Sequence, residues 1–208
     1  MSGNIKQRRL ICGVGINDAP YSTVLGYTQE GKQIICPFYT RWRFLLSRCY
    51  SETKWKQTNK RGYLKNAQYE FCEVVDEWHR FTNFKSWMEK QDWEGKHLDK
   101  DILVPGNRIY GPDTCMFIPP HINLMLVEQK PGKYGNGITY DKQTNVFRAQ
   151  IRIGGKRITR GSFATAEGAK ELYTKLKREE IIKEANKLSD IKLKNALINY
   201  AKIKYDGV

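Results

Sequence analysis

The chain has 208 residues, 40% of them hydrophobic and 12% aromatic, which suffices for a packed core and excludes a disordered tail. Thirty-six Lys and Arg against 22 Asp and Glu leave a formal charge of +14 and a pI near 9.5, a balance that asks for a polyanionic partner, foremost nucleic acid, although an anionic membrane or ribosomal RNA looks similar on charge alone. No apolar run approaches the roughly 18 residues of a membrane span, and five cysteines (Cys12, Cys36, Cys49, Cys72, Cys115) with no C-x-x-C pair give no support to a zinc ribbon and read as reduced thiols of a cytoplasmic protein.

The start, MSGNIKQRRLICGVG, is basic but lacks the long apolar stretch of a signal peptide. Gly13, Gly15, Asp18 and Pro20 punctuate short strands and turns, and Glu30-Gly31-Lys32 predicts a hairpin leading into Gln33-Ile34-Ile35. The G-x-G of GVGIN lacks the third glycine and the helix pattern of a nucleotide loop. From Pro37 a helix is expected, because Trp42, Leu45, Leu46 and Cys49 recur at i, i+3, i+4 and i+7. Arg41, Arg43 and Arg48 lie off that face, either as phosphate contacts or as a solvated surface. Residues 51–65 predict a polar, basic surface loop whose Trp55 either stacks on a base or packs back on the core. Trp78, Phe81, Phe84, Trp87 and Met88 follow at mostly helical spacing and predict a core wall, with Asn83 capping a break between two short helices.

Residues 97–123, HLDKDILVPGNRIYGPDTCMFIPPHIN, predict a strand, a turn-rich loop, a second strand and a helix opened by Pro119-Pro120. Leu98 and Ile102 give the first strand its apolar alternation around Asp99 and Asp101. Asp99 at a strand end and Asn123 in the first helical turn offer the two oxygens that suit Mg²⁺ or Mn²⁺, with water and substrate phosphate completing the shell. WHRFTNFKSWM, LDKDIL, GN, YGPDTC and PPHIN, with GVGINDAPY near the start, resemble the HNH (ββα-metal) proteins of bacteriophages, often called homing endonucleases. The resemblance implies Asp99 and Asn123 as metal ligands, and a catalytic group of His97, Lys100, Asp101, Asn107 and His121. Lys100 stands where a general-base His usually follows the Asp, and Thr114 stands near the usual central Asn. A Lys near its reference pKa of about 10.4 cannot take a proton from water, but it can neutralise a phosphate or a leaving group. His97 shares a strand face with Asp99 and is one candidate base; His121 is the other.

Residues 128–137 hold four Gly or Pro and no apolar period, and read as a linker. From residue 128 onward 18 basic and 9 acidic residues give a net +9, leaving +5 for residues 1–127. GITYD, VFRAQIRI and KRITRGSF predict a three-stranded antiparallel sheet over 138–163. Alternation turns Phe147, Ala149, Ile151 and Ile153 one way and Arg148, Gln150 and Arg152 the other. A helix from Thr165 offers Ala169, Leu172, Tyr173 and Leu176 to cover the apolar face. YGNGITYD, FRAQIRIGGKRITRGSF and TAEGAKELY, about residues 134–175, resemble the Apetala-two (ethylene-response-factor) DNA-binding domain, whose sheet enters the major groove. By position that resemblance implies Thr139, Asp141, Gln150, Arg152, Arg157 and Thr159 as contacts to double-stranded DNA, joined by Arg148 on the same face of the second strand and by the basic Lys156 and Arg160. Arg suits the O6/N7 pair of guanine and Gln the N6/N7 pair of adenine. Residues 166–187 continue as a charged helix, and Ser189 is expected to cap another. The seam of that second helix (Leu193, Ala196, Leu197, Tyr200) packs on either domain or serves a homodimer.

The expected architecture is α+β. An HNH-like ββα-metal nuclease domain with flanking helices spans 1–127. The 128–137 linker follows, then an Apetala-two-like domain at 138–208, a three-stranded antiparallel sheet packed on a helix, with C-terminal helices. The expected function is metal-dependent, site-directed hydrolysis of phosphodiester bonds in double-stranded DNA, in the cytoplasm of a bacterial host and without a membrane partner. The alternative is a catalytically inactive DNA-binding regulator or competitor on a degenerate HNH scaffold.

Overall fold

The computed structural model describes residues 10–51, 69, 71–127 and 131–206; the basic start, the loop with Trp55 and the first three linker residues lie outside the described residues. The chain is mixed α and β and divides into two compact units, Met1–Asp101 with Gly106–Phe117, and Ile102–Pro105 with Ile118–Val208.

In the first unit, Val24–Tyr27 (β1) and Gln33–Ile35 (β2) form the expected antiparallel hairpin. Its turn uses Gly31 at φ +76°, a conformation glycine adopts without steric cost. Pro37–Tyr50 (α1) has proline in its first turn and buries the four residues of the expected face, Trp42, Leu45, Leu46 and Cys49. The Tyr50 hydroxyl accepts from the Val74 amide at 2.8 Å and so ties the end of α1 to Glu73–Val74 (β3). A 3-10 turn, Asp76–His79, then leads into Phe81–Met88 (α2). The break between these two falls at the extended Arg80, not at Asn83, which lies inside α2 and donates to the Glu77 carbonyl at 3.0 Å.

The start of α2 is capped instead by Asp18, 64 residues earlier, whose carboxylate accepts from the Thr82 amide at 2.9 Å and hydroxyl at 2.8 Å. Burial pushes the Asp18 carboxyl up, but the Thr82 bonds and the Arg80 guanidinium outweigh it and hold the group below its ordinary range. The aromatic stripe is core, as expected. Trp78 meets Phe84 edge-on at 5.1 Å and Trp87 stacks on Phe117 at 5.7 Å. The indole N–H of Trp42 donates to the Trp78 carbonyl at 2.7 Å. Burial raises the Cys49 and Cys115 thiols to about 12, so both are inert, apolar fillers of this unit. His97–Asp99 (β4) forms a two-stranded sheet with Met116–Ile118 (β6), and Ile109–Tyr110 (β5) runs parallel to β3. Because β4 stops at Asp99, Ile102 is a buried loop residue and not the strand position the alternation suggested.

In the second unit, Pro120–Leu126 (α3) starts on its proline and buries Ile122 and Leu126. Ile138–Asp141 (β7), Val146–Ile153 (β8) and Lys156–Phe163 (β9) make the expected antiparallel sheet in that order. Ala166–Ala185 (α4) is capped by Thr165, whose hydroxyl accepts from the Gly168 amide at 3.2 Å, and it covers the face of Ala149 and Ile151. Gly137, at φ +71°, sits where a Cβ would lie 2.2 Å from the Tyr173 ring. Ile191–Asp206 (α5) packs on α4 and buries Leu193, Ala196, Leu197 and Tyr200, so the seam closes within the chain. Its cap is Asp190, accepting from the Leu193 amide at 3.1 Å, one position after the expected Ser189. Lys177 of α4 donates to the Met125 carbonyl at 2.6 Å, at the C-terminal end of α3. Among the described residues no helix is long and apolar enough to cross a membrane.

Candidate functional site

Register defines one face of the sheet. Thr139 lies opposite Arg148, Gln150 opposite Thr159, and Arg152 opposite Arg157, while the apolar Ala149 and Ile151 point to α4. Arg152, Arg157 and Thr159 are exposed, and Gln150 is half-buried. The other charged pair on this face is internal. Arg148 meets Asp141 at 3.3 Å, and Asp141 also accepts the Gln143 amide at 3.0 Å in the β7–β8 turn. The Thr144 side chain, then the Gln143 amide, hold the Asp141 carboxyl below its ordinary range. Asp141 therefore fixes the turn and orients Arg148. Two of the expected DNA contacts fall elsewhere: Lys156 pairs with Ile153 and Arg160 with Ala149, which register assigns to the other face. Both are exposed on the open edge strand, where alternation reverses the direction of a side chain at each step.

The residues after β4 form a closed network. Lys100 is only 8% exposed, and its ammonium donates to both Asp101 oxygens at 2.8 and 2.9 Å and to the Asn107 carbonyl. Asn107 returns the contact, donating to the Lys100 carbonyl at 3.0 Å and the Ile109 carbonyl at 2.6 Å, and accepting the Ile109 amide at 3.0 Å. Thr114, near the position of a central Asn, donates to the same Ile109 carbonyl at 2.7 Å. The Asp101 amide donates to Asp99 Oδ1 at 2.8 Å. Three of the five expected catalytic residues, Lys100, Asp101 and Asn107, are thus joined to one another. The sequence reading missed this. Its only local signal is a Lys held between two Asp in an apolar setting, where a buried amine needs acceptors.

The three N–H donors of Lys100, expected as a phosphate neutraliser, all meet oxygens of its own loop. His97 is exposed at the start of β4, and β-strand alternation puts it on the Asp99 side of that strand. Asp99 lies in the first unit; Asn123, in the first turn of α3, and the exposed His121 lie in the second. A carboxylate and a carboxamide are each hard oxygen donors, the kind Mg²⁺ takes, so each by itself fits such an ion in its chemistry. Among the described residues no three His, Cys, Asp or Glu gather as a metal cluster.

The arginines of α1 are partly structural. Arg41 donates to the Lys96 carbonyl at 2.8 Å and lies 5.6 Å from the Trp93 ring and 5.5 Å from that of Phe117. Burial, then the like charge of Arg48, lower its pKa. Arg43, over Tyr39, is exposed. No family model matches this chain, and no curated protein or solved structure matches it either.

Proposed function

We propose that this protein is a metal-dependent endonuclease of double-stranded DNA, of the phage HNH homing type, which finds its site through the β7–β9 face. The observation that carries the DNA half is the pairing of Arg152 with Arg157 beside Gln150 and Thr159, all on the side of the sheet away from α4. Arg and Gln present the donor patterns that read guanine and adenine in the major groove. The order β4, β5, β6, α3 around Asp99, in which β5 interrupts the expected loop and β4 pairs with β6, supports the cutting half. Asp99 is the residue of the first unit that would hold Mg²⁺ or Mn²⁺. Bound there, the ion supplies charge stabilisation at the phosphate and a water of lowered pKa. His97, exposed on the Asp99 side of β4, takes the proton from the attacking water.

A second reading has one observation in its favour. The residue at the usual base position, Lys100, is engaged inside its own loop, as suits a binding protein on a scaffold that no longer cuts. Incubating the full chain with supercoiled plasmid and Mg²⁺, Mn²⁺ or EDTA decides between the two. Metal-dependent nicking lost in Asp99→Ala supports the nuclease; tight duplex binding with no nicking in any metal supports the binder.

A further inference from the structure

We propose that Lys100 is a positioning residue, which locks the 100–108 loop so that the Asp101 amide holds the Asp99 carboxylate. This inference rests on the reading of Asp99 as a metal ligand. An ammonium has three N–H donors, and Lys100 meets three acceptors, the two Asp101 oxygens at 2.8 and 2.9 Å and the Asn107 carbonyl. A charge this buried persists only when fully paired. Residues 100 and 107 bond in both directions, since the Asn107 amide donates back to the Lys100 carbonyl at 3.0 Å. The seven-residue separation is thereby closed into one ring. Asp101 is fixed through its side chain and aims its N–H at Asp99 Oδ1 at 2.8 Å. A carboxylate with one oxygen anchored keeps fewer orientations, which is how outer groups tune a metal ligand. Lys100 thus acts on the metal through Asp101 and Asp99 and touches no phosphate.

Three measurements on the full chain test this: Mn²⁺ uptake read by electron paramagnetic resonance, amide hydrogen exchange over 99–108, and duplex affinity. Lys100→Met should weaken Mn²⁺ binding about 10-fold, the order seen when a group supporting a ligand is removed. It should also speed exchange of the Asp101 amide and leave duplex affinity unchanged. At saturating Mn²⁺ the nicking rate should return to that of wild type, so the defect lies in half-saturating metal and not in kcat. Asp101→Asn weakens the ion pair but keeps the backbone N–H, and should shift Mn²⁺ binding the same way by less; it carries the test if Lys100→Met does not fold. Unchanged Mn²⁺ binding and loop exchange overturn the proposal, as does a Lys100→Met rate that stays low at saturating metal with weaker duplex binding, the mark of a direct phosphate contact. A wild-type chain that takes up no Mn²⁺ sinks the nuclease reading by itself. The exchange of the Asp101 amide in Lys100→Met then still decides whether the loop is locked by this side chain.

Discussion

Lys100, just after β4, and Arg152, on β8, are both cations of strand-rich segments, yet the first donates to three oxygens inside the protein while the second is exposed. The difference extends to their neighbours. In the first unit Asp18 caps α2 and Arg41 sits between two aromatic rings. In the second, Arg152 faces Arg157, and neither side chain has a hydrogen bond or ion pair among the described residues. A paired interior charge fixes geometry, and its loss shows in stability. An exposed charge beside a like charge adds nothing to the fold and opposes it slightly, whereas the proposed duplex, a polyanion, would give it a use. Arg148, held by Asp141, marks the boundary between the two cases on a single face.

The sharpest break of this contrast is chemical. Asp99→Ala should abolish metal-dependent nicking with duplex affinity nearly unchanged, and His97→Ala should slow nicking by about 10²–10⁴; a large loss of affinity in either would mean that the first unit also recognises DNA. Next comes stability. Lys100→Met leaves Asp101 without its cation, but that carboxylate is 41% exposed and water can serve it. Denaturant unfolding should therefore show a loss of about 1–3 kcal/mol, below the roughly 3–5 kcal/mol of a wholly buried pair. Arg152→Ala should leave stability within about 0.5 kcal/mol yet relax base preference by about 1–3 kcal/mol and lower the salt slope of binding by about 0.9. Lys175→Ala, on the exposed side of α4, should leave base preference intact. Equal losses on specific and random duplexes for both variants would remove Arg152 from the reading face.

Asp18 extends the same contrast to pH. Its carboxyl is depressed in the folded chain, so the stability it contributes is present above its unfolded pKa of about 3.9 and is lost as pH falls further. Asp18→Asn should cost about 1 kcal/mol at neutral pH, as for a helix cap, and should flatten the acid limb of a thermal-melt series.

How much of this was legible depended on how local the cause was. The face of α1 and the alternation of β8 follow from neighbours along the chain, and both elements formed over the expected residues. The cap of α2 comes from Asp18, 64 residues away, so a local reading settled on Asn83. Ser189 and Asp190 are both short acceptors, and only backbone geometry selects Asp190. On β9 plain alternation separates Arg157 and Thr159 from Lys156 and Arg160, so a count of basic residues along the strand overstates the shared face. Around β4 the strand itself was legible and the network of Lys100 was not. The spacing from Lys100 to Asn107 says nothing of reciprocal bonds, because those need the loop closed first.

The smallest expected effect tests the contrast most directly. Arg157 lies opposite Arg152 in the β8–β9 ladder, with both side chains exposed. Cross-strand like charges oppose pairing, on a scale of about 0.2–1 kcal/mol for such neighbours. Arg157→Gln removes that repulsion, keeps a side chain of similar reach and leaves the ladder hydrogen bonds in place. The variant should therefore be slightly more stable than wild type at low salt and lose that advantage as added salt screens the wild-type pair. The same change should weaken duplex binding and reduce its salt slope by about 0.9. A gain in stability coupled to a loss of binding is the pattern of a residue kept for its partner. If Arg157→Gln instead destabilises the sheet and leaves duplex affinity untouched, this arginine belongs to the fold, and the division of charge between the two units does not hold on this face.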